Sequence, residues 1–298
     1  MSLNYSEIFI QSFKEYGQYL WDQVTFNAVP WYENYFYGLI LLSLIVWGLE
    51  LAFPWRKGQA KIRKDFWLDA FYMFFNFFIF NAIIFIAFSN WTRALFTDLI
   101  GGDLSRLALF DIQQLPGWTQ LLIFFLGMDL IQWFTHLLLH RFEFLWQFHK
   151  VHHSVEQMGF AAHLRYHWME NVFYTPMKFI VFILLGNFTP EHAFIVYFGS
   201  VVIGHLNHAN IKLDYGPLRY LLNNPAMHIW HHSKEMPKQF PHGMNFGISL
   251  SLWDYIFKTN YIPESGRDIE LGFDQVESFP TSFWGQLIYP IQRKRKQS

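Results

Sequence analysis

Three short runs of histidine constrain this chain more than any other feature. HLLLH places His136 and His140 four residues apart, HKVHH supplies His149, His152 and His153, and HIWHH repeats that spacing at His228, His231 and His232. Residues three and four apart share one face of an α-helix, so each run can aim its imidazoles at one point. A neutral imidazole binds a transition metal through one ring nitrogen while the other donates to a neighbouring acceptor. Eight such groups exceed the four ligands of a tetrahedral site, and two metals are the economical reading. The ligands come from distant segments, so binding metal would also tie those segments together. Crowded histidines without a metal would leave many ring nitrogens to satisfy at once, and would leave the repeated spacing unexplained.

Two less regular groups lie between the repeats. HLRYH contains His163 and His167 and is followed by Glu170, and HLNH contains His205 and His208. His167 and His208 are the stronger candidates for further ligands, His163 and His205 the weaker, while His192 and His242 stand apart. The chain has no cysteine, which excludes thiolate ligands, iron-sulfur clusters, disulfides and cysteine nucleophiles. Imidazole binds zinc, iron, copper or nickel, and the chemistry such a site could perform favours iron over zinc. A redox-active ion can activate dioxygen toward an unactivated C–H bond, whereas zinc offers Lewis-acid or activated-water chemistry.

Composition places these histidines beside a membrane. Hydrophobic residues make up 52% of the chain and charged residues only 15%, against about 25% charged in a soluble domain. Apolar stretches over 35–53, 66–88 and 118–139 approach the ~20 residues that cross a bilayer as a helix, the third carrying Asp129, Gln132 and His136. Two shorter apolar runs, ending at Gly186 and beginning at Ala193, form a hairpin that re-enters or crosses. The basic stretches RKGQAKIRK at 56–64 and RKRK at 293–296 place that loop and the carboxyl end in the cytosol. Residues 90–117 then form an external loop. Phe9, Phe13, Tyr16, Tyr19 and Leu20 mark an interfacial helix in the first thirty residues, which show no removable signal peptide. The expected architecture is all-α: a multi-pass transmembrane helical bundle with a cytosolic histidine-rich metal-binding cap. Residues 1–117 form a lead-in, two spans and the external loop, 118–260 the catalytic domain, and 261–298 a cytosolic tail. Bacterial inner membrane and endoplasmic reticulum both suit such a protein.

In its histidine motifs the chain closely resembles the fatty acid hydroxylase and sterol desaturase superfamily of membrane di-iron enzymes, over roughly residues 120–260. DLIQWFTHLLLHRFEFLWQFHKVHHS resembles the family stretch in which an aspartate, here Asp129, precedes the first histidine by seven residues. LRYHWMEN resembles the segment that brings a further histidine and an acidic residue near the site, and HANI the position that supplies a ligand between the triads, here His208. The chain departs from many relatives at Leu137, where they carry arginine, and in the three-residue spacing of His205 and His208. NFGISLSLWDYIFKT resembles the terminal family segment, where Trp253, Tyr255, Ile256 and Phe257 read as packing residues of a cap helix.

The resemblance implies two iron ions held by His136, His140, His149, His152, His153, His167, His208, His228, His231 and His232. It gives Asp129 a supporting role and Glu170 that of a polar or carboxylate partner. Dioxygen would be the co-substrate and a lipid C–H bond the target, with zinc a possible occupant of purified protein. Hydroxylation is the favoured outcome and includes attack on ether lipids; desaturation is the alternative. A metal transporter or metal-binding membrane protein is a reading of another class, but it would need ligands along the bundle rather than at one end. No nucleotide-binding glycine motif occurs, so electrons would come from a separate protein or reduced cofactor. Nothing in the chain suggests a nucleic-acid partner; the basic segments suit membrane lipids instead.

Overall fold

The computed structural model describes residues 4–27, 30–76, 78, 86–99, 101–102, 107–109, 112–186 and 188–296. Among them the regular elements are helical, joined by three isolated β-bridges. The α-helices are α1 Tyr5–Val24, α2 Tyr35–Ala52, α3 Phe66–Phe74, α4 Ile86–Leu99, α5 Gly117–Arg141, α6 Glu143–His153, α7 Met169–Leu185, α8 Pro190–His208, α9 Pro225–His231, α10 Leu252–Phe257 and α11 Phe283–Lys296.

Local chemistry sets the boundaries that matter for the site. Asn34 caps α2 by accepting from Tyr37 N, and Asn224 caps α9 by accepting from Met227 N, with Pro225 in its first turn. Gly186, at φ 90, ends α7, and Thr189 accepts from His192 N to start α8; both helices pack against α5. At Phe142 the backbone becomes extended and α5 gives way at once to α6, which brings His136 and His140 up against the first triad.

α2 and α5 are long and apolar enough to cross a membrane, by length and composition. On α2 only Tyr35, Leu39 and Val46 are buried, while Leu41, Leu44 and Ile45 face outward. A helix with apolar residues all round needs a non-aqueous neighbour on its outer face. The span expected over 66–88 begins as α3; residues 77 and 79–85 lie outside the described residues.

Two segments differ from expectation. Residues 90–99, read as external loop, belong to α4, which packs against α1. The stretch 261–296, within what was read as a cytosolic tail, packs onto the fold: Leu271, Phe273, Val276 and Phe279 are buried, and Phe283 of α11 packs against Tyr72, whose hydroxyl donates to Gln286 Oε1 at 3.0 Å. Scattered apolar residues between turns give no helical or strand period, so burial here comes from long-range packing. In α10, Trp253 and Phe257 contact α5, but Ile256 is exposed.

Candidate metal centre

The histidines gather into two buried groups. His136, His140, His149, His153 and His231 form one, and His152, His208, His228 and His232 the other; within each, the candidate ligand atoms lie within 4.8 Å of one another. The groups adjoin, with the rings of His153 and His232 stacked at 4.4 Å between centroids. Each triad is divided between them. Successive helical residues are turned by about 100°, so i+4 points about 40° to one side of i and i+3 about 60° to the other, and these two diverge by about 100°. Thus His149 and His153 enter one group and His152 the other, and His228 and His232 are likewise separated from His231.

Most of these rings are oriented from behind. His136 Nδ1 lies 2.9 Å from the Phe246 carbonyl, His231 Nδ1 2.8 Å from Met244 O, His152 Nδ1 3.0 Å from Arg165 O and His208 Nδ1 2.8 Å from Gly204 O. His149 Nδ1 lies 2.9 Å from Glu170 Oε2. A carbonyl or carboxylate accepts, so each of these imidazoles carries its proton on Nδ1 and, when neutral, presents a bare Nε2. Two of the bare nitrogens meet in each group: His136 and His149 Nε2 are 3.0 Å apart, and His152 and His208 Nε2 are 3.3 Å apart. Two lone pairs cannot hydrogen-bond each other. A shared cation resolves the conflict, since metal-nitrogen bonds of about 2.0–2.1 Å set neighbouring ligand nitrogens about 3–3.4 Å apart. His140 Nε2 is buried without a hydrogen-bond partner, which also fits a ligand held for an ion.

Protonation is a poor substitute for a metal here. Burial pushes His149 and His152 down to about 3, and burial together with neighbouring imidazoles holds His153, His228 and His232 well below the ordinary histidine value. The neutral, metal-binding form is therefore the resident one.

The remaining candidates sit around the groups. His167 joins neither: its Nε2 faces Leu287 O at 3.0 Å and its Nδ1 accepts from Met169 N at 3.1 Å, so both ring nitrogens are engaged with backbone. Glu170 lies behind His149 and also accepts from His167 N at 3.3 Å. Asp129 is buried and accepts from Ser249 N, Leu250 N and Trp253 Nε1 at 3.0, 3.1 and 2.9 Å. It faces the loop that carries Phe246, away from the ring nitrogens. His163 and His205 pair with each other, Nδ1 to Nδ1 at 2.9 Å, and His205 Nε2 lies 3.3 Å from Ser43 Oγ.

Sequence reasoning missed the residues that hold these backbone acceptors in place. Asp254 accepts from Phe246 N, Gly247 N, Trp133 Nε1 and Thr259 Oγ1. Arg165 is fully buried and binds Asp69, Asp65 and Ser154, fixing the carbonyl that orients His152. Gly243, at φ 101, brings its loop so close that a Cβ would lie 2.9 Å from His140 Nδ1. Only Asp254 carried a signal, a carboxylate within an otherwise apolar helix segment.

Residues 121–259, which contain all nine clustered histidines, match the family model described as fatty acid hydroxylase. In this match and in its histidine motifs the chain is similar to the fatty acid hydroxylase and sterol desaturase superfamily. It is 31% identical over 165 residues to ornithine lipid hydroxylase OlsE of Rhizobium tropici, covering 55% of this chain and 47% of that one. It is 27% identical over 274 residues to alkylglycerol monooxygenase of Danio rerio, covering 82% and 51% of the two chains. To the Homo sapiens alkylglycerol monooxygenase it is 27% identical over 189 residues, covering 59% and 41%. The chain thus spans about half the length of these curated relatives. No solved structure matches it.

Proposed function

We propose that the protein is a membrane-embedded, di-iron, dioxygen-dependent lipid monooxygenase that hydroxylates a C–H bond of a fatty-acyl, sterol or ether lipid. One observation carries the reading: each histidine group holds a pair of bare Nε2 atoms at 3.0 or 3.3 Å that a metal ion would satisfy. The hydroxylase and monooxygenase relatives support it. His136, His140, His149, His153 and His231 would hold one ion and His152, His208, His228 and His232 the other. Bound iron supplies the redox chemistry that activates dioxygen toward an unactivated C–H bond.

The chain's own residues supply the setting. Glu170 keeps the His149 proton on Nδ1, and the carbonyls of Phe246, Met244, Arg165 and Gly204 do the same for four other imidazoles, so Nε2 atoms point inward. A cavity of about 160 Å³ between α5, α7 and α8 opens onto His136, His149, His152 and His208, with Tyr174 and Tyr197 farther along its walls. An apolar chain entering there would meet the histidines while displacing water.

The apolar outer faces of α2 and α5 support a multi-pass membrane bundle, and the basic residues at 56–64 support a cytosolic position for the histidine end. Electrons would come from a separate protein or reduced cofactor. The test compares lipids extracted from cells with and without the gene, grown under oxygen, by untargeted mass spectrometry. A product heavier by one oxygen atom is expected. A product lighter only by two hydrogens would replace hydroxylation with desaturation, and no lipid change would overturn the reading.

A further inference from the structure

We infer that Lys178 is the residue through which this cavity selects lipids bearing an anionic group, a carboxylate or a phosphate. The inference deepens the oxygenase reading and rests on it for the reaction, though not for the binding.

α7 and α8 run antiparallel along the cavity. On α7 the lining residues Glu170, Asn171, Tyr174 and Lys178 share one face. Glu170 stands at the histidine end, hydrogen-bonded to His149. At 1.5 Å per residue, Lys178 lies about 12 Å farther along the helix. α8 shows the same polarity in reverse: His208 belongs to a histidine group, and Tyr197 lies about 16 Å away along the axis, at the Lys178 end.

Lys178 cannot be explained as a stem reaching outward to polar surroundings. The outward stripe of α7 is Val172, Pro176, Ile180 and Leu184, all exposed, whereas Lys178 is partly buried and lines the cavity. Its Nζ lies 5.5 Å from the Tyr174 ring centroid. Among the described residues it has no hydrogen-bonded or ionic partner. Among the described residues the one carboxylate lining the cavity, Glu170, is committed to His149 and to the backbone of His167. A cation–π contact offsets only part of the cost of drawing an ammonium group out of water. A cation facing a substrate cavity without a protein counter-charge is matched when the ligand carries the negative charge. The anion then anchors at the Lys178 end, and a carbon about 12 Å along the chain reaches the histidines.

The test is equilibrium binding of radiolabelled lipids to the purified full chain in neutral detergent, without oxygen or reductant. The probes are palmitate, 1-palmitoylglycerol 3-phosphate and neutral 1-palmitoylglycerol. Wild type is expected to bind at least one acidic lipid about tenfold or more tightly than the neutral one. Preference for palmitate identifies the carboxylate, and preference for the phosphate lipid the phosphate. Lys178→Met should lose that preference while binding the neutral lipid within about twofold of wild type, and Lys178→Arg should keep it. Thermal unfolding of each variant verifies folding, and Lys178→Gln serves if the methionine variant does not fold. Equal binding of all three lipids by wild type, or an acidic preference that survives in folded Lys178→Met and Lys178→Gln, overturns the inference. An acidic preference in a protein that oxidises no lipid would leave the Lys178 assignment standing and remove the oxygenase reading alone.

Discussion

Asp129 and Asp254 grip opposite halves of one loop. Asp254 accepts from Phe246 N and Gly247 N, and Asp129 from Ser249 N and Leu250 N, so the peptide that presents the Phe246 carbonyl to His136 is held from both sides. Removing either carboxylate strands buried backbone donors. Asp129→Ala and Asp254→Ala are each expected to destabilise the protein by about 2–4 kcal/mol. They should also reduce bound metal, read as a lower thermal midpoint in detergent and by elemental analysis of the same samples. An unchanged midpoint and full metal content in both would remove the loop from the account.

The division of the triads predicts which ligand losses matter. His152→Ala and His231→Ala each remove a nitrogen from a different group, and both should lower metal from about two ions per chain and abolish lipid oxidation. His192→Ala and His242→Ala, outside both groups, should do much less. Product, bound metal and folded fraction should be measured together, because metal loss also weakens folding. Folded His152→Ala and His231→Ala proteins with full metal and near-normal turnover would defeat the assignment.

Glu170 touches His149 Nδ1 and belongs to neither ligand group. Its removal should therefore weaken the hold on one ion without eliminating a ligand. Glu170→Ala is expected to lower metal affinity about 10- to 100-fold, measured by competition with a chelator, with Glu170→Gln between it and wild type. Equal affinities across all three would show that His149 needs no such support.

Acid should destabilise the metal-free protein through its buried neutral imidazoles. His149 and His152 are held down at about 3 in the fold by burial, while an unfolded imidazole titrates near 6.5. Between those values the unfolded chain binds more protons, so stability is fully present above about pH 6.5 and falls as pH drops toward about 3. These two groups alone make the folding constant fall about 100-fold per pH unit in mid-window. The thermal midpoint of chelator-treated protein should decline steadily from about pH 7 to about pH 5; a flat profile would contradict the buried neutral state.

How much of this was legible in the sequence depended on whether the chemistry is local. The three histidine runs and the break between α7 and α8 were readable because spacing along a helix and a glycine that ends an apolar run act within a few residues. The sharing of each triad between two groups requires knowing how α6 and α9 face each other. His167 resembled a ligand by position alone, yet the α11 backbone, distant in sequence, takes its Nε2. The burial of Phe273 and Phe279 and the grip of Asp254 are likewise long-range packing, with no periodic signature.

The contribution of α6 and α9 to both histidine groups has a consequence for assembly. Because each helix contributes to both groups, a first bound ion would immobilise the pair of helices and reduce the ordering that a second would otherwise require. Loading should then be cooperative: titrating metal-free protein with iron and counting ions per chain by native mass spectrometry is expected to show empty and doubly filled chains with few carrying a single ion, and a dominant one-ion population would overturn the expectation.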